Sequence, residues 1–85
     1  MQGLRFVLYS RAGCELCESL HLELSQVPEA SGIPIEIRDI DTDPTARARY
    51  GHKIPVLFLG AEMVCHGHLD LSELHKTLAL HRRPV

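Results

Sequence analysis

Leu4-Arg5-Phe6-Val7-Leu8-Tyr9-Ser10-Arg11-Ala12-Gly13-Cys14-Glu15-Leu16-Cys17 is the stretch on which the reading of this chain turns. Residues 4–10 are β-rich and almost continuously apolar, the pattern of a central, buried strand. Arg11-Ala12-Gly13 reads as a turn. A helix follows from Cys14, with Leu16, Leu20, Leu24 and Val27 on one face at helical spacing. Glu15, Glu18 and Glu23 lie off that face, the first two where they favour the helix dipole, and Pro28 ends the helix.

A C-x-x-C thus falls where a strand gives way to a helix. Two residues three apart on a first helical turn face the same side, so their sulfurs can close a disulfide with little backbone movement. Free N–H groups and the dipole at a helix start stabilise a thiolate on the leading cysteine. Cys14 is therefore the candidate nucleophile. Cys17, one turn deeper, is the candidate resolving thiol. Arg11 is close enough to add positive charge beside the Cys14 sulfur, whereas Glu15 and Glu18 disfavour the thiolate. The expected couple is reducing rather than strongly oxidising.

Outward from this unit, Ile33-Pro34-Ile35-Glu36-Ile37-Arg38-Asp39-Ile40 alternates beyond its proline and reads as a second strand. Asp43 caps a short helix with Pro44 in its first turn, and Gly51 suits its end. Ile54-Pro55-Val56-Leu57-Phe58-Leu59 is a third strand and Met63-Val64-Cys65 a fourth. The tight turn Gly60-Ala61-Glu62 joins them as a hairpin. Asp70 with Glu73 resembles a capping box. Leu71, Leu74 and Leu78 give the last helix its apolar stripe, and Arg82-Arg83-Pro84 follows it. The order is β-α-β-α-β-β-α, with strands one and two parallel through a right-handed crossover. This α/β chain is expected to form a four-stranded mixed sheet, with residues 1–85 as a single domain. Pro55 reads either as a tolerated strand-start proline or as a cis proline lying against the cysteine pair. In the second case its neighbour's free backbone groups would pair with an extended thiol substrate.

Composition narrows the partners. Eighty-five residues allow one compact domain with a thin core. Nine basic against eleven acidic residues give a formal charge of −2, and only Phe6, Phe58, Tyr9 and Tyr50 are aromatic. Neither nucleic acid nor an anionic membrane is therefore expected as a partner. No apolar run is long enough to span a bilayer. The start of the chain, Met1-Gln2-Gly3 and then a short stretch broken by Arg5, does not read as a signal peptide. Three cysteines, Cys14, Cys17 and Cys65, do not make a disulfide framework. A cytoplasmic monomer, where thiols are kept reduced, is expected.

The segments Tyr9 to Cys17, Ile54-Pro55-Val56-Leu57-Phe58-Leu59-Gly60, and Gly67 with Asp70 resemble the glutaredoxins, most of all the small bacterial glutaredoxin-like domains. The resemblance spans nearly the whole chain. It implies a thioredoxin-like fold and thiol–disulfide exchange contributing to cell redox homeostasis. It also implies a glutathione site in which Arg11 meets a carboxylate, Ile54 beside Pro55 pairs with the tripeptide backbone, and Gly67 and Asp70 hold the γ-glutamyl end. Where the family pattern has Pro-Tyr between the cysteines, this chain has Glu15-Leu16. Lys53-Ile54 stands for Thr-Val, and His66-Gly67 for a double glycine.

The leading reading is a thiol–disulfide oxidoreductase acting on a disulfide-containing protein or a glutathione mixed disulfide. Glutathione is the candidate co-substrate, and no tightly bound cofactor or metal is assigned. The competing class is a non-catalytic module on the same fold: an interaction domain, or a zinc site made of Cys14, Cys17, Cys65 and His68. Cys65 by itself reads as a small apolar strand residue. Asp39-Ile40-Asp41-Thr42-Asp43 begins like a calcium loop but has Pro44 where glycine and Tyr50 where glutamate are required. These acids read instead as a strand end leading into a helix cap. Arg47, Arg49 and Lys53 cluster beside the short helix and read either as a solvated face or as a basic patch that attracts an anionic thiol such as glutathione.

Overall fold

The computed structural model describes residues 4–81. Met1-Gln2-Gly3 and Arg82-Arg83-Pro84, given roles above, lie outside the described residues. The chain runs β1 (Phe6–Ser10), α1 (Glu15–Ser25), β2 (Ile35–Asp39), α2 (Pro44–Tyr50), β3 (Val56–Leu59), β4 (Glu62–His66) and α3 (Leu71–His81). Short 3-10 turns at Pro28–Ala30 and Ile40–Thr42 flank β2. The sheet order is β2-β1-β3-β4. β1 runs parallel to β2 and antiparallel to β3, and β3 and β4 form the expected hairpin.

Alternation along β1 divides the sheet into two faces. Phe6 and Leu8 point into the core with Leu57, Leu59 and Val64, against Leu20 and Leu24 of α1 and Leu74 and Leu78 of α3. On the other face Tyr9, Tyr50 of α2 and Phe58 form an aromatic trio, with ring centroids 5.2, 5.8 and 6.0 Å apart. Helices therefore cover both faces, and the two-sided burial of β1 accounts for its continuous apolar reading.

The helix stripes differ from expectation in their first turns. In α1 the buried residues are Cys17, Leu20 and Leu24, while Leu16 is 59% exposed. Leu16 is rotated about 100° from Cys17, and the residue that faces the sheet is the cysteine. In α3 Leu74, Thr77 and Leu78 are buried and Leu71 is 51% exposed. Thr77 tolerates burial because its hydroxyl donates to the Glu73 carbonyl at 2.8 Å.

The caps follow the sequence closely. Asp43 accepts from the Ala46 N–H (3.1 Å) and Asp70 from the Glu73 N–H (3.1 Å). The reciprocal arm of a capping box is missing at α3, because the Glu73 carboxylate instead takes Lys76. Gly51 ends α2 as expected, in right-handed geometry at φ −56°. Glycine is needed there for space, since a Cβ would sit 2.6 Å from the Arg47 carbonyl oxygen.

Leu74→Ala is expected to cost about 2–5 kcal/mol in urea unfolding. Leu71→Ala should stay within about 0.5 kcal/mol. Asp70→Ala, which removes the α3 cap, falls between them at about 0.5–2 kcal/mol.

Candidate redox site

β1 delivers the chain to the top of the sheet at Ser10. The turn after it is closed by the Cys14 N–H donating to the Arg11 carbonyl at 3.1 Å. Gly13 makes this turn at φ +78°, a conformation that L side chains rarely adopt. Cys14 then occupies the N-cap of α1 in extended geometry. Its carbonyl accepts from the Glu18 N–H at 3.1 Å, and its Sγ accepts from the Cys17 N–H at 3.1 Å. A sulfur thus takes the place that a serine or aspartate oxygen usually fills.

Cys14 and Cys17 are joined in a disulfide, with Cα atoms 5.2 Å apart. Cys17 is buried at 3% exposure, whereas Cys14 is half-buried. Cys14 therefore carries the outer sulfur of the pair and Cys17 the inner one. Glu15 and Glu18 are both exposed beside them.

Strand register brings the other candidates to the same end of the sheet. Val56 lies opposite Tyr9 on one side and His66 on the other, and Ser10 lies opposite Asp39. The Arg11–Gly13 turn, the Ile54–Pro55 segment, Gly67 and the Asp39–Asp43 segment therefore all follow or precede strand ends at that edge. The Ile54–Pro55 peptide is cis and Pro55 is fully buried. The Pro55 carbonyl accepts from the Gly67 N–H at 2.8 Å, tying this segment to the loop after β4. Neither backbone group of Ile54 is hydrogen-bonded to backbone among the described residues. Asp70 has its carboxylate committed to the start of α3.

Arg11 is engaged elsewhere than at a sulfur. Its Nε and Nη2 donate to the two carboxylate oxygens of Asp41 at 2.9 and 3.0 Å, a bidentate pair. The hydrogen bond from Arg11, and next its charge, hold the Asp41 carboxyl below the usual carboxylate range. A carboxyl lowered in this way keeps its charge at neutral pH and loses the pair only on acidification through its lowered value. The Arg11–Asp41 pair could not be read from the sequence, although the acid-rich run Asp39 to Asp43 was its visible trace.

The zinc set fails. Among the described residues no three His, Cys, Asp or Glu side chains form a group able to hold a metal, and Cys14 and Cys17 are bonded to each other. Cys65 is a free, half-buried thiol on β4 opposite Leu57. Burial pushes its pKa up, against a smaller lowering by the Asp70 backbone N–H. A cavity of about 240 Å³ opens on the α2 face, lined by Val7, Tyr9, Arg38, Tyr50, Phe58 and Gly60, with neither Cys14 nor Cys17 in its wall. No helix among the described residues is long and apolar enough to cross a membrane.

The chain is similar to solved structures of two bacterial proteins. Protein Ne2328 of Nitrosomonas europaea, solved by NMR, is 28% identical with a TM-score of 0.79, over 91% of this chain and 93% of that one. Protein XcR50 of X. campestris, solved by X-ray diffraction, is 25% identical with a TM-score of 0.65, over 93% and 99%. No functionally curated protein matches. The fold is thioredoxin-like, as these neighbours and the mixed four-stranded sheet agree. Residues 5–79 match the model of the glutaredoxin-like domain (DUF836), and the chain belongs to that family.

Proposed function

We propose that this protein is a dithiol–disulfide oxidoreductase in which Cys14 attacks and Cys17 resolves. One observation carries the reading: the outer sulfur caps α1 and accepts the Cys17 N–H, while the inner sulfur is buried beneath it. In the reduced protein, the same N–H and the helix start favour a Cys14 thiolate. That thiolate attacks one sulfur of a substrate disulfide, forming a mixed disulfide and expelling the other substrate sulfur as a thiolate. Cys17 then gives up its proton and attacks the Cys14 sulfur. The Cys14–Cys17 disulfide forms, and the second substrate thiol leaves. Two electrons have passed from the dithiol to the substrate. A dithiol, or two equivalents of a monothiol such as glutathione, restores the reduced form.

Ile54, beside the cis Pro55, offers an N–H and a carbonyl to an extended substrate backbone in the manner of strand addition. Gly67 and Asp70 border this edge and belong to the substrate-binding surface in this reading. The substrate class is a protein disulfide or a glutathione mixed disulfide. The compartment in this reading is one with reduced thiols, such as the cytoplasm, which suits a chain whose third cysteine, Cys65, is a free thiol outside the Cys14–Cys17 pair.

Turnover of a peptide disulfide by the protein is expected to vanish in Cys14→Ser. Cys17→Ser should stall as a covalent adduct on Cys14, detected by intact-mass and peptide mapping. Turnover surviving in Cys14→Ser overturns the reading. In the reduced protein at neutral pH, iodoacetamide should label Cys14 at least about tenfold faster than Cys65, whose thiol pKa is pushed up by burial.

A further inference from the structure

The run Asp39-Ile40-Asp41-Thr42-Asp43 holds three acids with unequal work. The Asp39 carboxylate accepts from the Asp41 N–H at 2.9 Å and forms the 3-10 turn. The Asp43 carboxylate caps α2. Both are structural, and neither needs the Asp41 side chain. Asp41 is exposed, and its carboxylate is devoted to Arg11, which it grips through both oxygens.

Arg11 stands one tight turn before the nucleophile, its carbonyl holding the Cys14 N–H. Its backbone is thus tied into the turn that carries the nucleophile, while its guanidinium is turned to Asp41. Four charged groups interact around it: Arg11 and Asp41 in direct contact, with Asp39 and Arg47 acting at longer range. Two cations and two anions cancel. Without Asp41 the cluster would carry one net positive charge, and the Nε–Nη2 edge of Arg11 would be open to a bidentate carboxylate.

We propose that Asp41 is a specificity-determining residue that acts through Arg11. Its carboxylate occupies the guanidinium edge that a substrate carboxylate would take, so the dithiol discriminates against small anionic disulfides. It accepts disulfides whose flanking groups are uncharged, as in an extended protein segment. This rests on the dithiol reading above and names its substrate class.

The experiment compares two small disulfides differing in charge, the dianion 3,3′-dithiodipropionate and the neutral bis(2-hydroxyethyl) disulfide. Single-turnover rates are measured with the reduced protein. Asp41→Asn should raise the anionic-to-neutral rate ratio roughly 2- to 5-fold at low salt, the scale of one exposed charge pair. The gain should fade towards about 1 M salt, where screening reaches about 3 Å. In the Arg11→Gln background, adding Asp41→Asn should raise the ratio by less than about 1.5-fold, because no guanidinium is left to release. An unchanged ratio in Asp41→Asn, or an equal gain in both backgrounds, overturns the inference and leaves the dithiol reading standing. Asp41→Ser repeats the test without the amide. A reduced protein that reacts with neither disulfide overturns both.

Discussion

The N–H of Cys17 donating to the sulfur of Cys14 is the contact on which the site depends. The first turn of any α-helix leaves backbone N–H groups without intrahelical partners. Here one of them meets a cysteine sulfur at the cap, so the need to finish a helix and the need to hold a polarisable, anion-capable atom are met by the same side chain. The rest of the fold delivers it. β1, buried on both faces, fixes where the chain emerges, and Gly13 turns it at a positive φ. α1 is then held down by Leu20 and Leu24 against the sheet, with Cys17 on the same stripe. The inner sulfur is in effect a core residue, and the outer one is the edge of that core exposed at the surface.

Charge around the pair is left negative. Glu15 and Glu18 flank the cysteines, and Arg11, which could offset them, is neutralised by Asp41. Placement of a cation in sequence is therefore a poor guide to the field at a sulfur; what matters is which carboxylate the fold brings to it. The parallel pairing of β1 and β2 does this here. Ser10 lies opposite Asp39, so the segment after β2 is set beside the turn after β1. An acidic run some thirty residues away in sequence becomes part of the cysteine surroundings.

Much of this was open to reading from the residues. The order of elements, the hairpin at Gly60, the caps at Asp43 and Asp70 and the placement of Cys14 and Cys17 all rest on local patterns of apolar spacing and capping chemistry. Leu16 and Leu71 misled because first-turn residues can satisfy a helical period while projecting past the sheet. Thr77 was missed because a buried hydroxyl that bonds back to its own helix looks polar in sequence. The zinc set of Cys14, Cys17, Cys65 and His68 matched by residue type alone, and spatial convergence among non-local residues is not a property of composition. The Arg11–Asp41 pair is non-local in the same sense.

The central claim is that Cys14 and Cys17 act as one two-electron couple, with Cys65 outside it. Equilibrating the protein across a series of dithiothreitol redox buffers, trapping free thiols by alkylation and counting them by mass tests this directly. The account predicts a single transition of about 30 mV per decade. Cys14 and Cys17 should change together, Cys65 should stay alkylated throughout, and the potential should lie nearer about −270 mV than about −120 mV. Independent oxidation of the two, or a disulfide that includes Cys65, would contradict it.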